Sequence, residues 1–169
     1  MNYFVTLAWL KAYTPVSANI DETLIFPFVP TSSDMWIQPI LGTYFYQDLL
    51  AKYNAQTLTT DEVNLVEVIK PAIAWRTASE APIGLTFQLK NKGLQTQNSD
   101  NSESVDLSDA EAVELKYVKK AEFYENQVKK YLHKNKDLFP QFISEDNDDS
   151  LIKPSKDRGN DYNTFVSFV

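Results

Sequence analysis

His133 is the single histidine of the sequence, and it stands among Lys129, Lys130 and Lys134. An imidazole there could act as a general base, bind a metal, or place a charge at the end of a helix. Base catalysis needs a nucleophile and an orienting partner nearby, and no such constellation surrounds His133. The favourable charge at a helix C-terminus is the simpler reading. With no cysteine and one histidine, a zinc site is not expected. Spaced carboxylates in "DNSESVDLSD", 100–109, could hold calcium, but the segment lacks the glycine and terminal glutamate of a calcium-binding loop at the required spacing. No phosphate loop, dinucleotide fingerprint or nucleophile elbow is present. The expectation is therefore a non-enzymatic protein, with no catalytic residue, no cofactor and no metal.

Composition narrows the class further. The formal net charge is −7, which argues against a protein that grips phosphates through a clustered basic surface. Hydrophobic residues make up 43% of the 169 residues, enough for one globular domain with a real core. Nine Tyr, ten Phe and three Trp against only four Gly suggest broad flat contacts in the core or between chains. "MNYFVTLAWLKAY" lacks a basic segment followed by a long apolar run, so no signal peptide is expected. No stretch reaches the length of a membrane span. A soluble protein is expected, retained where it is made or built into a particle there.

The periodicity is mainly helical. Tyr3–Leu10 fits a strand or a helical turn equally. Asn19 and Glu22 fit a capping box opening a helix at Ile20, disturbed by Pro27 and Pro30. Trp36, Ile37, Ile40 and Leu41 share a face, Pro39 interrupts it, and Gly42 is a stop or bend before a stripe of Phe45, Leu49 and Leu50. Thr59 and Glu62 form a second capping box. The helix it opens, over about Thr60–Ala81, carries Val63, Val66, Ile69, Ile73 and Thr77 on one face. Pro71 predicts a kink near Glu67, and Pro82 with Gly84 ends the helix.

"LTFQLK", 85–90, alternates like a half-buried strand, with "LQTQNSD" as its return. Ser108 and Glu111 form a third box opening a helix over about Asp109–Lys134. Its narrow seam is Val113, Tyr117, Ala121, Tyr124, Val128 and Tyr131, expected to pack antiparallel on the preceding long helix. Lys116, Lys119, Lys120, Lys129 and Lys130 give that helix a basic face, offset by Glu111, Glu114, Glu122 and Glu125. The domain reading is a helical body over 1–138 with a projecting loop at 85–107, and an extended C-terminal arm over 139–169. The arm ends in Tyr162, Phe165, Val166, Phe168 and Val169 after a polar, acidic stretch. Such an apolar run requires a partner surface.

"DMWIQPILGTYFYQDLL" and "LVEVIKPAIAWRTASEAPIGLTFQLKNKGLQTQNSDNS" resemble the head–tail connector (ring or adaptor) proteins of crAss-like and other Bacteroidetes tailed phages. The likeness covers about Ile20 to Leu132. It rests on "IQPILG" (37–42) followed by "YQDLL", on "PAIAWR" (71–76), and on "NKGLQTQNSDNS" (91–102). The resemblance implies a mainly α subunit, a helical bundle of the adaptor type. The residue pattern adds a β-hairpin or extended loop between the last two long helices and, outside the matched stretch, an extended C-terminal arm read from composition alone. The resemblance implies a homo-oligomeric ring, commonly dodecameric, in the virion neck, assembled in the host cytoplasm. Its neighbours would be the portal and adjoining tail or ring proteins, with DNA passing through the lumen and no membrane involved. No catalytic residues carry over. Candidate partner-binding positions are Phe87, Leu89 and Leu94 in the projecting loop and the five apolar residues of the arm, which can add to a neighbour's sheet or fill its groove. The competing reading is a soluble helical binding module or assembly chaperone.

Overall fold

The computed structural model describes residues 3–90, 93–96 and 107–142. The protein is mainly helical. Near the start, the Val5 amide bonds back to the Tyr3 carbonyl in an isolated bridge, and the ambiguous first segment becomes helix α1, Leu7–Tyr13. Thr6 caps it, its hydroxyl accepting from the Trp9 amide. Helix α2, Glu22–Ile25, starts on Asp21 rather than Asn19: the Asp21 carboxylate accepts from both the amide and the hydroxyl of Thr23. Asp21, an anionic acceptor directly before the first helical residue, displaces the expected Asn19–Glu22 pair, and Glu22 instead meets Lys11.

The expected disturbance at Pro27 is present, since α2 ends at Ile25 and the next helix opens at Phe28. Pro27 is the N-cap of α3, Phe28–Ser32, and Pro30 falls in its first turn, where a missing N–H breaks no helical bond. A π-helical turn over Ser33–Ile37 follows, with the Gln38 amide reaching the Ser33 carbonyl. Pro39 then sits in the first turn of α4, Gln38–Leu41. Gly42 does stop the chain there. Its φ of 84° and ψ of 150° are closed to residues with a Cβ. Helix α5, Thr43–Ala55, runs on from it and buries Phe45, Tyr46, Leu49 and Leu50.

Helix α6, Thr60–Thr86, is the centre of the molecule. The capping box forms as read: the Thr59 amide donates to Glu62 Oε2 at 2.8 Å and the Glu62 amide to Thr59 Oγ1 at 3.3 Å. The expected single face does not hold. Residues 71–79 are all buried, and Val63 is 42% exposed. A helix apolar all round belongs inside a core, and α6 packs against α1, α2, α3, the π-turn and α7. It is continuous through Pro71 and past the expected stop at Pro82. A proline removes one N–H and crowds one carbonyl, but later residues can keep their own helical bonds.

Segments β1, Phe87–Lys90, and β2, Gly93–Thr96, pair antiparallel, with Leu89 opposite Leu94 and Phe87 opposite Thr96. Helix α7, Leu107–Lys134, begins ahead of Ser108, so Ser108 lies in its first turn and is not its cap. It runs antiparallel to α6, since Tyr117 faces Trp75, Glu125 faces Arg76, and Tyr131 lies near Asp61. The buried line on α7 is Ala121, Glu125, Val128 and Leu132, whereas Val113 is 37% exposed. Tyr117, Tyr124 and Tyr131 flank that line half-buried. The body reaches past the expected boundary at 138. Phe139 is buried and its ring meets Phe45 and Tyr131 at 5.8 and 6.3 Å, while Phe142 packs on the same core.

Candidate functional site

The most concentrated polar chemistry lies where the π-turn, α6 and α7 meet. Arg76 projects from the buried stretch of α6 and Glu125 from the buried line of α7, their side chains only 6% and 10% exposed. Arg76 Nε donates to Glu125 Oε1 at 2.5 Å and Nη2 to Oε2 at 3.1 Å, a two-pronged pairing that fits the planar guanidinium. The Trp36 ring covers the other side of Arg76, 3.6 Å from the guanidinium carbon to the ring centroid. Trp36 also donates its indole N–H to Glu80 Oε1 at 3.3 Å. Burial pushes the Glu80 carboxyl up, with Glu114 adding repulsion and Trp36 and Arg76 pulling it back. One turn away, Lys120 places its ammonium 4.0 Å over the Trp75 ring. Each charge here is met by another group of the same chain, so the cluster works as a clamp joining three elements.

A second network joins the π-turn to α5. The Tyr46 hydroxyl donates to Asp34 Oδ1 at 2.6 Å and lies 2.8 Å from the Ser33 hydroxyl. With the Tyr46 O–H directed at Asp34, the Ser33 hydroxyl is the donor to Tyr46. Burial, and then the bond to Asp34, push the Tyr46 hydroxyl well above its usual range. It therefore stays protonated and cannot serve as a base at neutral pH. A third contact fastens α5 to α6: Lys52 meets Asp48 at 2.6 Å and Glu62 at 2.8 Å.

Concave and apolar surfaces remain. A groove of about 480 Å³ is lined by Thr6, Tyr53, Asn54, Gln56, Leu58 and Val63. A smaller one of about 290 Å³ lies between the start of the chain and α2–α3, with Leu7, Phe26 and Val29 in its walls. Tyr44 is 78% exposed, and Met35, Leu115 and Phe123 are each more than half exposed. Among the described residues no group of three or more His, Asp or Glu could hold a metal ion, and no helix is long and apolar enough to cross a membrane.

The partner-binding positions expected from sequence fall in two places. Phe87 and Leu89 occupy alternate positions of β1, with Leu94 across from Leu89 on β2. Tyr162, Phe165, Val166, Phe168 and Val169 lie outside the described residues. His133 is in the last turn of α7, edge-on to the Phe142 ring at 5.9 Å.

Glu125 corrects the sequence reading, which set it on the solvated face of α7. It falls four residues after Ala121 and three before Val128, at the spacing of the seam itself, and that spacing was the available signal. Arg76 had one too, as a lone charge within "PAIAWRTASEA". Nothing in the local pattern pointed to Trp36 as the cover of Arg76, or to Tyr46 as the partner of Ser33 and Asp34, because those contacts span 12 residues or more.

A protein family of unknown function, DUF6712, matches residues 37–150. The match takes in the π-turn's last residue, α4 to α7 and the connection between the two long helices. No curated protein and no solved structure matches the chain.

Proposed function

The chain belongs to the DUF6712 family, of unknown function, and we propose that it is a structural virion protein. In this reading it forms a ring in the neck of a tailed phage, between portal and tail, through which DNA passes. It is not an enzyme, and it works in the particle. The observation that carries the reading is the connection between α6 and α7. Its described part is the two-stranded ribbon β1–β2, which continues directly from the end of α6 and has no third strand beside it among the described residues. A two-stranded ribbon is marginal alone in water, and its open edges are templates for a strand from another chain. Phe87, Leu89 and Leu94 would then supply side chains to the neighbour, and the apolar run of the arm a second contact. The inward-facing charge of Arg76 and Glu125 is spent within the subunit, and the net charge of −7 suits a lumen that DNA slides through unheld. Cyclic symmetry uses each projecting segment once per neighbour.

Light scattering after size-exclusion chromatography, with electron microscopy of the main peak, tests the proposal. The expected result is a closed ring, formed alone or on a co-expressed portal protein. A monomer or dimer that joins neither a ring nor a portal sinks the neck reading and leaves the binding module or chaperone.

A further inference from the structure

The groove beside Val63 is a docking surface without an occupant among the described residues. Its walls come from Thr6 ahead of α1, from the end of α5 and from the start of α6. Val63 is 42% exposed although Leu65, Val66 and Ile69, next along α6, are buried. Tyr53 and Leu58 are half-buried beside it. The result is an apolar trough rimmed by carboxamides and a hydroxyl, the usual make-up of a peptide-sized site.

The chain itself contains a segment of matching chemistry. "YNTFVSFV", 162–169, mixes aromatic and β-branched residues with short polar ones, a composition suited to an extended strand. The body's last described residue, Phe142, packs on the core and against His133, just before the end of α7. Because α7 is antiparallel to α6, that end lies beside the start of α6, where Asp61 acts on Tyr131. The groove is at this same end, two residues on from Asp61. Twenty peptide steps from Phe142 to Tyr162 span at most about 70 Å, well beyond the roughly 40 Å length of α6. A tether of that kind gives the segment a millimolar-range effective concentration at its own groove.

We infer that the groove lined by Tyr53, Leu58 and Val63 receives the apolar run Tyr162–Val169 of the same chain. The isolated subunit thereby covers the run that would otherwise present two Phe and two Val to solvent. Docking in cis is a property of the single chain, and it holds whether or not the neck reading does. Within that reading, the same run is released to a neighbour on assembly, as in an exchanged arm.

The sequence contains no cysteine, so Ser167→Cys gives a single site for a nitroxide label. Chains carrying the nitroxide and labelled methyl groups are mixed, before assembly, into a large excess of unlabelled, nitroxide-free chains. Any loss of methyl signal then arises within one chain, even inside an oligomer. The expected result is loss of the Leu58 and Val63 signals. They return when Phe165→Ser and Phe168→Ser are added, and the Leu58 signal returns with Val63→Glu, a change that suits the first turns of a helix. Tyr44→Glu, at an exposed position elsewhere, leaves the loss in place. Unchanged Leu58 and Val63 signals overturn the inference, as does loss confined to other methyl groups. Loss seen only in the converse mixture, with methyl-labelled chains in an excess of nitroxide-bearing ones, also overturns it and makes a second copy the occupant.

Discussion

At the scale of single residues, the Arg76–Glu125 pair is the most consequential contact. Removing one partner of a buried ion pair strands the other charge away from water. Glu125→Ala is therefore expected to cost about 3–5 kcal/mol in urea unfolding. Replacing both, Arg76→Met with Glu125→Leu, should recover most of that loss, because an apolar pair of similar volume carries no desolvation penalty. If the double variant is no better than Glu125→Ala alone, the cost lies in packing and not in the unpaired charge. Glu62 supplies a pH test. Burial alone would raise its carboxyl, but Lys52 and the amide and hydroxyl of Thr59 outweigh it and hold the group below the usual glutamate range. A carboxyl depressed in the folded state stabilises above its unfolded pKa, and that stabilisation is lost as pH falls through the folded one. Unfolding free energy measured from pH 7 down to pH 3 should fall less steeply in Glu62→Gln than in the parent. Glu80, raised mainly by burial, works with the opposite sign: its contribution falls as pH rises from the ordinary glutamate range to its folded pKa.

At the scale of elements, the two long helices differ in kind. Helix α6 is buried on every side through its middle, and α7 buries one line, flanks it with half-buried residues and exposes its opposite face. The consequence is measurable on α7. Val128 is fully buried, so Val128→Asp places an unpaired charge in the seam and should cost several kcal/mol. Val113 is 37% exposed, and Val113→Asp should stay within about 0.5 kcal/mol of the parent. Equal melting of the two variants would mean that the line through Ala121, Glu125, Val128 and Leu132 is not the packed one. Gly42, at φ 84°, is the hinge between α4 and α5, and Gly42→Ala should lose about 1 kcal/mol or more, since a Cβ is not accommodated there.

At the scale of the whole molecule, the predictions concern assembly. Deleting Tyr162–Val169 should leave the helical signal in circular dichroism unchanged, because the described helices pack on one another through a cluster running from Phe4 to Phe139. It should also weaken incorporation into a ring or neck, since burying a Phe is worth roughly 1.5–3 kcal/mol. Wild-type occupancy of the truncated chain would remove the arm from the interface, and failure of the truncated chain to fold would make the run part of the subunit's own core. His133→Ala should leave both folding and assembly close to those of the parent. Loss of function in a variant that folds and assembles normally would reveal a site at the end of α7.

The amino-acid sequence by itself determined the helical character, the capping box at Thr59–Glu62, the stop at Gly42, and the existence of the two long helices. These depend on neighbours within a turn or two, where side-chain type and spacing act directly on the backbone. Only the tertiary structure decided that α6 is buried all round, that Glu125 turns inward, and that Trp36 and Tyr46 complete the polar networks. Those outcomes depend on partners from 12 to 49 residues away, and a charged side chain reads as solvent-facing until its counter-charge is brought to it. Asp21 displaced Asn19 as a cap because two short side chains competed for nearly the same amides, a contest that composition leaves open. The prolines at 30, 39, 71 and 82 show the same division. Each announced a lost hydrogen bond, but whether the loss ends a helix depends on where the helix starts and on the packing that holds its later turns in place.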